Sequence, residues 1–315
     1  MKCAVAVVGP TGSGKTALAL EVAERLRTEI ISADSMQFYR GMEIGCAAPS
    51  AAEQQRVHHH FVSFLNPDED MAAGKYEGLA RRRAEKLLQC NALPVLCGGS
   101  GLYINAFKDG LFPGPARDQS IRDRLRARAR EEGTEALYAQ LQEVDPDYAA
   151  QLTSANDLVR IVRALEVHEL TGRPFSLWHQ AHQQQADKWE VLQVAPDWDR
   201  EVLYARINHR VQEMIDAGWV DETQRLIASG YEKDIHRLKA LGYREIAAYL
   251  RGESSLEEAV EAARMHHRRY AKKQLTWFRA DKGIHWLPCC PASGIAAMAD
   301  QVMDLISRRF PHYGT

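Results

Sequence analysis

The sequence has little that would mark a secreted, membrane-spanning or zinc-binding protein. Its 315 residues carry a formal net charge of -2, so any nucleic-acid site must be a local basic patch. No apolar run approaches the roughly 18 residues that span a bilayer. The six cysteines show no C-x-x-C spacing, which favours reduced thiols over a disulfide framework or a zinc site. A core strand is predicted within three residues of Met1, so we expect no signal peptide and a cytoplasmic location.

The most informative motif present is a glycine-rich loop, GPTGSGKT, which directly follows the apolar run Ala4–Val8. It matches the pattern G-x-x-x-x-G-K-[ST] in a strand–loop–helix setting. The backbone amides of such a loop, with the N-terminus of the next helix, bind phosphate oxygens. Lys15 would add positive charge, and the Thr16 hydroxyl would face a magnesium ion. The predicted ligands of a di- or triphosphate are Gly9, Pro10, Thr11, Gly12, Ser13, Gly14, Lys15 and Thr16.

The first hundred residues alternate strand-like and helix-like segments, which predicts an α/β fold with a parallel sheet. One predicted strand ends at Asp34, and another ends at the turn Gly98–Gly101. Ligands of open parallel sheets bind beyond the carboxyl ends of the strands. We therefore expect Asp34 and Ser100 to lie on the same rim as the phosphate loop.

Asp34 could act there as a general base, a magnesium ligand or a hydroxyl acceptor, although a helix cap is the plainer alternative. Ser100 could contact a ligand, or Gly98–Gly101 could simply be a tight connection. No apolar strand in this region ends in the Asp or Asp-Glu that phosphate-loop ATPases use on magnesium and water. This absence argues against hydrolysis.

The helical period and arginine content rise after residue 114, and a strand is again expected at 190–195. We predict a core formed by residues 1–114 and 190–315, with a helical domain inserted at 115–189. Long helices are expected from 200 to 280, and the last thirty residues give little signal. His58–His60 precede a predicted apolar strand, Phe61–Leu65, and their side chains would diverge too much for a metal site.

Three groups of cations could contact phosphates. Residues 264–278 combine basic and aromatic side chains, which suits an unstacked nucleic-acid strand, but a solvated helix with Trp277 and Phe278 in the core is an alternative. Arg160 and Arg163 share one side of a predicted helix. Arg206 and Arg210 are spaced i, i+4, and they could equally pair with Glu201 or Glu213.

Six segments in this order, GPTGSGKT, ADSMQFY, GGSGLY, VRIVRALEV, KALGYRE and AKKQLTWF, closely resemble the tRNA dimethylallyltransferase (tRNA isopentenyltransferase) family. The resemblance covers residues 5 to 280 and implies a P-loop NTPase-like core with an inserted helical tRNA-binding domain at 115–189. It implies transfer of a dimethylallyl group from dimethylallyl diphosphate to the exocyclic amine of the adenosine next to the anticodon, position 37. The lack of a C-terminal zinc finger is typical of the bacterial type.

The resemblance also implies a role for each motif. The phosphate loop, with Arg206 and Arg210, would hold diphosphate as a leaving group, assisted by Mg²⁺ at Thr16. Asp34 would take a proton from the adenine amine, and Ser100, where the family usually has Thr, would orient the base. The implied tRNA contacts are Asp34, Ser35, Met36, Gln37, Ser100, Arg122, Val159, Arg160, Ile161, Val162, Arg163, Lys239, Ala240, Leu241, Gly242, Tyr243, Arg244, His267, Arg268, Arg269, Lys272, Lys273 and Gln274. A monomer without membrane contact is expected.

The chain departs from the family pattern at Gly45–Pro49, where Cys46 and Ala48 replace the usual Thr and Lys, and at Lys273, where Arg is usual. Three other functions stay open at this point. They are an adenylate isopentenyltransferase acting on AMP or ADP, a small-molecule kinase, and a non-catalytic RNA-binding module gated by nucleotide.

Overall fold

Six parallel strands form one sheet in this computed structural model, which describes residues 2–112, 114–185, 187–290 and 294–313. The order across the sheet is β3-β2-β4-β1-β5-β6, and every neighbouring pair runs parallel. The strands are β1 (Cys3–Val8), β2 (Ile30–Ser32), β3 (His59–His60), β4 (Val95–Gly98), β5 (Glu190–Trp198) and β6 (Ile284–Cys289). The predicted α/β class is confirmed.

Fifteen α-helices accompany these strands in the described residues. They are α1 (Lys15–Arg25), α2 (Ala51–Arg56), α3 (Ala73–Gln89), α4 (Gly101–Asp109), α5 (Gln119–Glu132), α6 (Thr134–Val144), α7 (Pro146–Gln151), α8 (Leu158–Thr171), α9 (Phe175–Gln185), α10 (Arg200–Asp216), α11 (Trp219–Ala228), α12 (Glu232–Leu238), α13 (Tyr243–Leu250), α14 (Leu256–Ala280) and α15 (Ile295–Arg309). A short 3₁₀ helix follows at Pro311–Tyr313. None of the helices described is long and apolar enough to cross a bilayer.

Strand β1 lies between β4 and β5, and all six of its residues are buried. Its alternate side chains enter two different apolar cores, with Ala4 and Ala6 in one and Val5 and Val7 in the other. Burial on both faces explains why this strand is a continuous apolar run.

The carboxyl ends of β1, β2 and β4 meet at one edge of the sheet. The Ala33 amide donates to the Cys97 carbonyl at 2.7 Å, and the Ser100 amide donates to the Ala33 carbonyl at 3.2 Å. These bonds fasten the segment that carries Asp34 to the turn that carries Ser100. Asp34 and Ser100 therefore lie close together at this edge of the sheet, as predicted.

The chain divides into two compact units, one of residues 1–109 with 188–315 and the other of residues 110–187. The predicted boundaries, after residues 114 and 189, lie within five residues of these. Helices α5 to α9 form the smaller unit, whose apolar core includes Leu137, Leu141, Ile161 and Leu165.

Two expectations are changed by the structure. The strand predicted at Phe61–Leu65 is wrong, because the third strand is His59–His60 and the chain turns at Phe61 and Ser63, whose φ angles are 64° and 47°. The C-terminal segment, which gave little signal, supplies β6 beside β5 and the amphipathic helix α15 against α1.

Candidate active site

The phosphate loop joins β1 to α1, as its motif predicts. Gly9, Gly12 and Gly14 have positive φ angles of 142°, 77° and 85°, a region that L side chains rarely adopt. Gly12 also packs closely on α10, since an added Cβ would lie 2.7 Å from the Ile207 side chain. Helix α1 begins at Lys15, whose side chain is buried and donates to the Pro10 carbonyl at 3.3 Å.

Side chains from the C-terminal half of the chain hold the outer face of this loop. Arg206 donates from Nε to the Gly12 carbonyl at 2.9 Å, and its guanidinium lies 4.4 Å from the centre of the Trp198 ring. Trp198 in turn donates from Nε1 to the Ser13 carbonyl at 2.8 Å. Because these carbonyls are bonded on one side, the loop keeps a fixed shape.

Arg210 faces the same loop, donating from Nη1 to the Thr11 hydroxyl at 3.1 Å. The alternative of pairing with Glu201 or Glu213 is therefore not the arrangement found. It is His209, on the same helix, whose Nε2 lies 3.4 Å from the Glu213 carboxylate. Both arginines that the spacing singled out are directed at the phosphate loop.

Gln274 on α14 connects the loop to the turn after β4. Its Oε1 accepts a hydrogen bond from the Thr11 amide at 2.9 Å, and its Nε2 donates to the Gly99 carbonyl at 2.9 Å. The side chain is buried. Gln274 therefore braces the rim, a role that the sequence did not suggest.

Two cavities meet at the loop. The first, called the Arg206 cavity, has a volume of about 450 Å³, and its lining includes Gly12, Gly14, Ala47 and Arg206. The second, called the Asp34 cavity, has a volume of about 380 Å³, and its lining includes Asp34, Met36, Tyr270 and Lys273. The residues common to both linings are Lys15, Thr16 and Arg210.

Asp34 does not cap a helix, so that alternative is wrong. Its Oδ1 accepts from the Met36 amide at 3.0 Å, which closes a tight turn. The Ser100 hydroxyl accepts from the Ser35 amide at 3.1 Å and so fixes the next residue. The turn presents the carboxylate to the Asp34 cavity, where the shared cations also lie.

Burial destabilises the charged forms of the two shared cations, Lys15 and Arg210. Burial lowers the pKa of Lys15, and the Asp34 carboxylate opposes that effect. Burial likewise lowers the pKa of Arg210, again opposed by Asp34. An anion bound between Lys15 and Arg210 would stabilise their charged forms, which burial has removed from water.

Comparisons with known proteins identify the family of this chain. The family model described as IPP transferase matches residues 37–281. The tRNA dimethylallyltransferase of Geobacter metallireducens is 45% identical over 283 residues, covering 90% of this chain and 91% of that protein. The one from Syntrophobacter fumaroxidans is 43% identical over 293 residues, covering 93% and 85%. The chain belongs to the IPP transferase family.

A solved member of the IPP transferase family has the same fold. The crystal structure of the full-length tRNA isopentenylpyrophosphate transferase from Bacillus halodurans is 34% identical, covers 98% of each chain and superposes with a TM-score of 0.70. The fold of this chain is P-loop NTPase-like, as the motifs predicted.

The RNA contacts implied by the family resemblance divide by exposure. The exposed ones are Val159, Arg160, Lys239, Arg244, Arg269, Lys272 and Lys273. The buried ones are Gln37, Ile161, Val162, Ala240, Gly242, Tyr243, His267 and Gln274. The partly exposed ones are Asp34, Ser35, Met36, Ser100, Arg122, Arg163, Leu241 and Arg268. Of the buried ones, Gln37, His267 and Gln274 line the Asp34 cavity, where an inserted base could reach them. Direct contact with RNA remains a prediction for the whole set.

The three arginines of the helical unit that are implied RNA contacts have partners within that unit. Arg122 forms a two-pronged pair with the fully buried carboxylate of Glu166, with both distances 2.8 Å, and Arg163 donates to the same carboxylate at 2.6 Å. Arg160 lies 3.5 Å from Asp157. Arg163 is thus paired with an acid of its own helix, and contact of Arg160 and Arg163 with phosphates remains a prediction.

Glu222 on α11 is a site residue that sequence reasoning missed. Its carboxylate is buried and accepts from the Ile44 amide at 2.8 Å, the Gly45 amide at 3.0 Å and the Tyr243 hydroxyl at 2.7 Å. Burial raises its pKa. These bonds fix the segment that carries Cys46 and Ala47, which line the Asp34 and Arg206 cavities respectively.

Proposed function

We propose that this protein transfers the dimethylallyl group of dimethylallyl diphosphate to the exocyclic amine of adenosine 37 in tRNA, releasing diphosphate. The observation that carries the proposal is that Lys15, Thr16 and Arg210 are common to two cavities, while Asp34 lines only the second of them. A donor held at the shared wall can thus meet an acceptor on the Asp34 side. The names of the relatives, dimethylallyltransferases of tRNA, support the same reaction.

The diphosphate would bind to the loop amides and to the three cations, Lys15, Arg206 and Arg210. Cleavage of the allylic carbon–oxygen bond concentrates negative charge on the departing oxygen. Groups already arranged around that oxygen stabilise the charge without reorganising. The phosphate loop would here hold a leaving group. This role agrees with the lack of a strand-ending Asp or Asp-Glu of the kind that phosphate-loop ATPases use for hydrolysis.

Asp34 would accept the proton that the adenine amine loses as its nitrogen forms the new bond to carbon. The amine is a weak nucleophile, because its lone pair is delocalised into the ring. The Oδ1 atom of Asp34 accepts from the Met36 amide, and Oδ2 would accept the proton. General-base assistance of this kind contributes about 10²–10⁴ in rate.

A magnesium ion fits the donor set. Thr16 lines both cavities, and its hydroxyl is an oxygen ligand of the kind Mg²⁺ prefers. The described residues hold no group of three His, Cys, Asp or Glu side chains that could bind a metal alone. Thr16 would hold the ion, which when bound neutralises charge on the diphosphate.

The adenosine would have to leave the anticodon stack to reach Asp34, as other base-modifying enzymes require. Since tRNA is the acceptor, we also propose that the protein acts in the cytoplasm, where its substrate is found. The exposed cations on α14, Arg269, Lys272 and Lys273, would contact the tRNA backbone.

The test is incubation with labelled dimethylallyl diphosphate, magnesium and either undermodified tRNA or AMP, with no ATP. We expect label in tRNA and none in AMP. Label in AMP would assign the chain to the free-nucleotide enzymes. A requirement for ATP, with a phosphorylated product, would assign it to the kinases.

A further inference from the structure

Trp277 is an exposed aromatic side chain at a position where the neighbouring residue is core. Phe278 is 2% exposed, whereas Trp277 is 42% exposed. The alternative that places both rings in the core therefore holds for Phe278 but not for Trp277. A large exposed indole beside a catalytic rim needs an explanation beyond packing.

The backbone is shaped to admit this ring. The Trp277 indole lies on Gly101, where an added Cβ would be 2.0 Å from Nε1. Gly101 begins α4 directly after Ser100, and the next residue, Leu102, is 53% exposed. Trp277 and Leu102, hereafter the Trp277 shelf, thus lie beside the turn that contacts Ser35.

The shelf continues a row of side chains that leads from the Asp34 cavity. Tyr270, Lys273 and Trp277 are spaced i, i+3 and i+7, so they lie on one face of α14. Tyr270 and Lys273 line the cavity. Trp277 lies four residues beyond Lys273, a helix rise of about 6 Å, which is less than the length of two stacking steps between nucleotides. A strand whose target base enters the cavity has neighbours within reach of Trp277.

Aromatic and cationic side chains in alternation suit single-stranded RNA. Every base can stack on an indole, and a lysine between two rings can contact the backbone. Extruding one base leaves its neighbour without a stacking partner. An exposed ring at that distance replaces the lost contact.

We propose that the Trp277 shelf stacks a base that flanks the target adenosine. This contact offsets part of the free energy needed to extrude the adenosine from the anticodon stack. The inference rests on the proposed function, because it takes tRNA as the acceptor. It assigns a binding role to two residues outside the predicted contacts.

The test is a double-mutant cycle with anticodon stem-loops, intact or abasic at position 36 or 38. Trp277→Leu keeps an apolar side chain but removes the stacking surface. We expect it to raise KM for the intact stem-loop about tenfold, the size of one base–aromatic stack, with kcat within twofold. Trp277→Phe should restore most of the affinity. With the stem-loop abasic at the stacked position, native and Trp277→Leu proteins should have the same KM.

Leu177→Ala, at another exposed apolar residue in the smaller unit, is the matched control and should leave KM unchanged. The proposal is overturned if Trp277→Leu raises KM by the same factor for the intact stem-loop and for both abasic ones. It is also overturned if Trp277→Leu leaves KM unchanged, or if Trp277→Phe raises KM as much as Trp277→Leu does. If the native protein prenylates neither undermodified tRNA nor the stem-loop, the proposed function fails. The shelf is then judged by the same cycle on stem-loop binding.

Discussion

The Thr11 amide donates a 2.9 Å hydrogen bond to the side chain of Gln274, although the two residues lie at opposite ends of the chain. Through this bond α14, which also lines the Asp34 cavity, holds the loop that would bind diphosphate. Donor and acceptor sites are thereby fixed to one helix.

Replacing Gln274 with Met should weaken donor binding. The change removes two buried hydrogen bonds and leaves the Thr11 amide and the Gly99 carbonyl unpaired, so we expect KM for dimethylallyl diphosphate to rise about tenfold. Steady-state kinetics at saturating tRNA measures this. Thr276→Val, at an exposed position of the same helix, serves as the control. Unchanged donor KM with weakened tRNA binding would instead make Gln274 an RNA contact.

Replacing Asp34 with Asn should lower turnover about a hundredfold or more and leave tRNA affinity nearly unchanged, because the amide keeps the shape but cannot accept the proton. Single-turnover rates and a binding assay separate the two effects. Glu213→Gln removes another acid near the same cations and should retain activity. A large loss of affinity with intact turnover would refute the base assignment.

The exposed cations of α14 should set part of the salt dependence of tRNA binding. Each lost phosphate contact lowers the slope of log K against log salt by about 0.7–0.9. The double variant Arg269→Gln, Lys272→Gln should therefore flatten the slope by about one to two. Lys233→Gln, an exposed site on α12, should leave it unchanged. An unaltered slope in the double variant would remove this surface from the interface.

His267 should make the protein sensitive to mild acid. Burial and the nearby charges of Arg210 and His266 lower its pKa from 6.5 to about 4. Between these values the unfolded chain binds more protons than the native one, so the free energy of unfolding falls as pH drops from 6.5 towards 4. At pH 5 this amounts to about 2 kcal/mol.

Urea unfolding at pH 7.5 and pH 5 measures the effect. His267→Gln should lose less stability between the two pH values than the native protein does, while His285→Gln, at an exposed histidine, should behave like the native protein. Equal losses in all three proteins would show that other groups account for the acid sensitivity.

Sequence reasoning located the parts of the site that depend on local pattern. The phosphate loop is a contiguous motif, and Asp34 and Ser100 follow buried strands whose carboxyl ends must meet in a parallel sheet. The spacing of Arg206 and Arg210 indicated a shared face but not what that face contacts.

What the sequence did not reveal depends on contacts between distant elements. Glu222 bonds to amides in a loop from the other end of the chain, and nothing near it in sequence signals that contact. Arg122 pairs with Glu166 across 44 residues, a contact that only packing reveals. Arg163 lies three residues before the same glutamate, so helical spacing alone could have indicated that pair. Val162 likewise faces inwards because α8 packs it into the apolar core of the smaller unit.

The most direct test of the account uses dimethylallyl diphosphate labelled with ¹⁴C in the prenyl group and ³²P in the diphosphate, with undermodified tRNA as acceptor. We predict that all transferred ¹⁴C is found on the exocyclic nitrogen of adenosine 37 and that ³²P is released as diphosphate in equal amount. Transfer of ³²P to the acceptor would contradict the claim that the loop holds a leaving group. Release of diphosphate without ¹⁴C in tRNA would contradict the claim that tRNA is the acceptor.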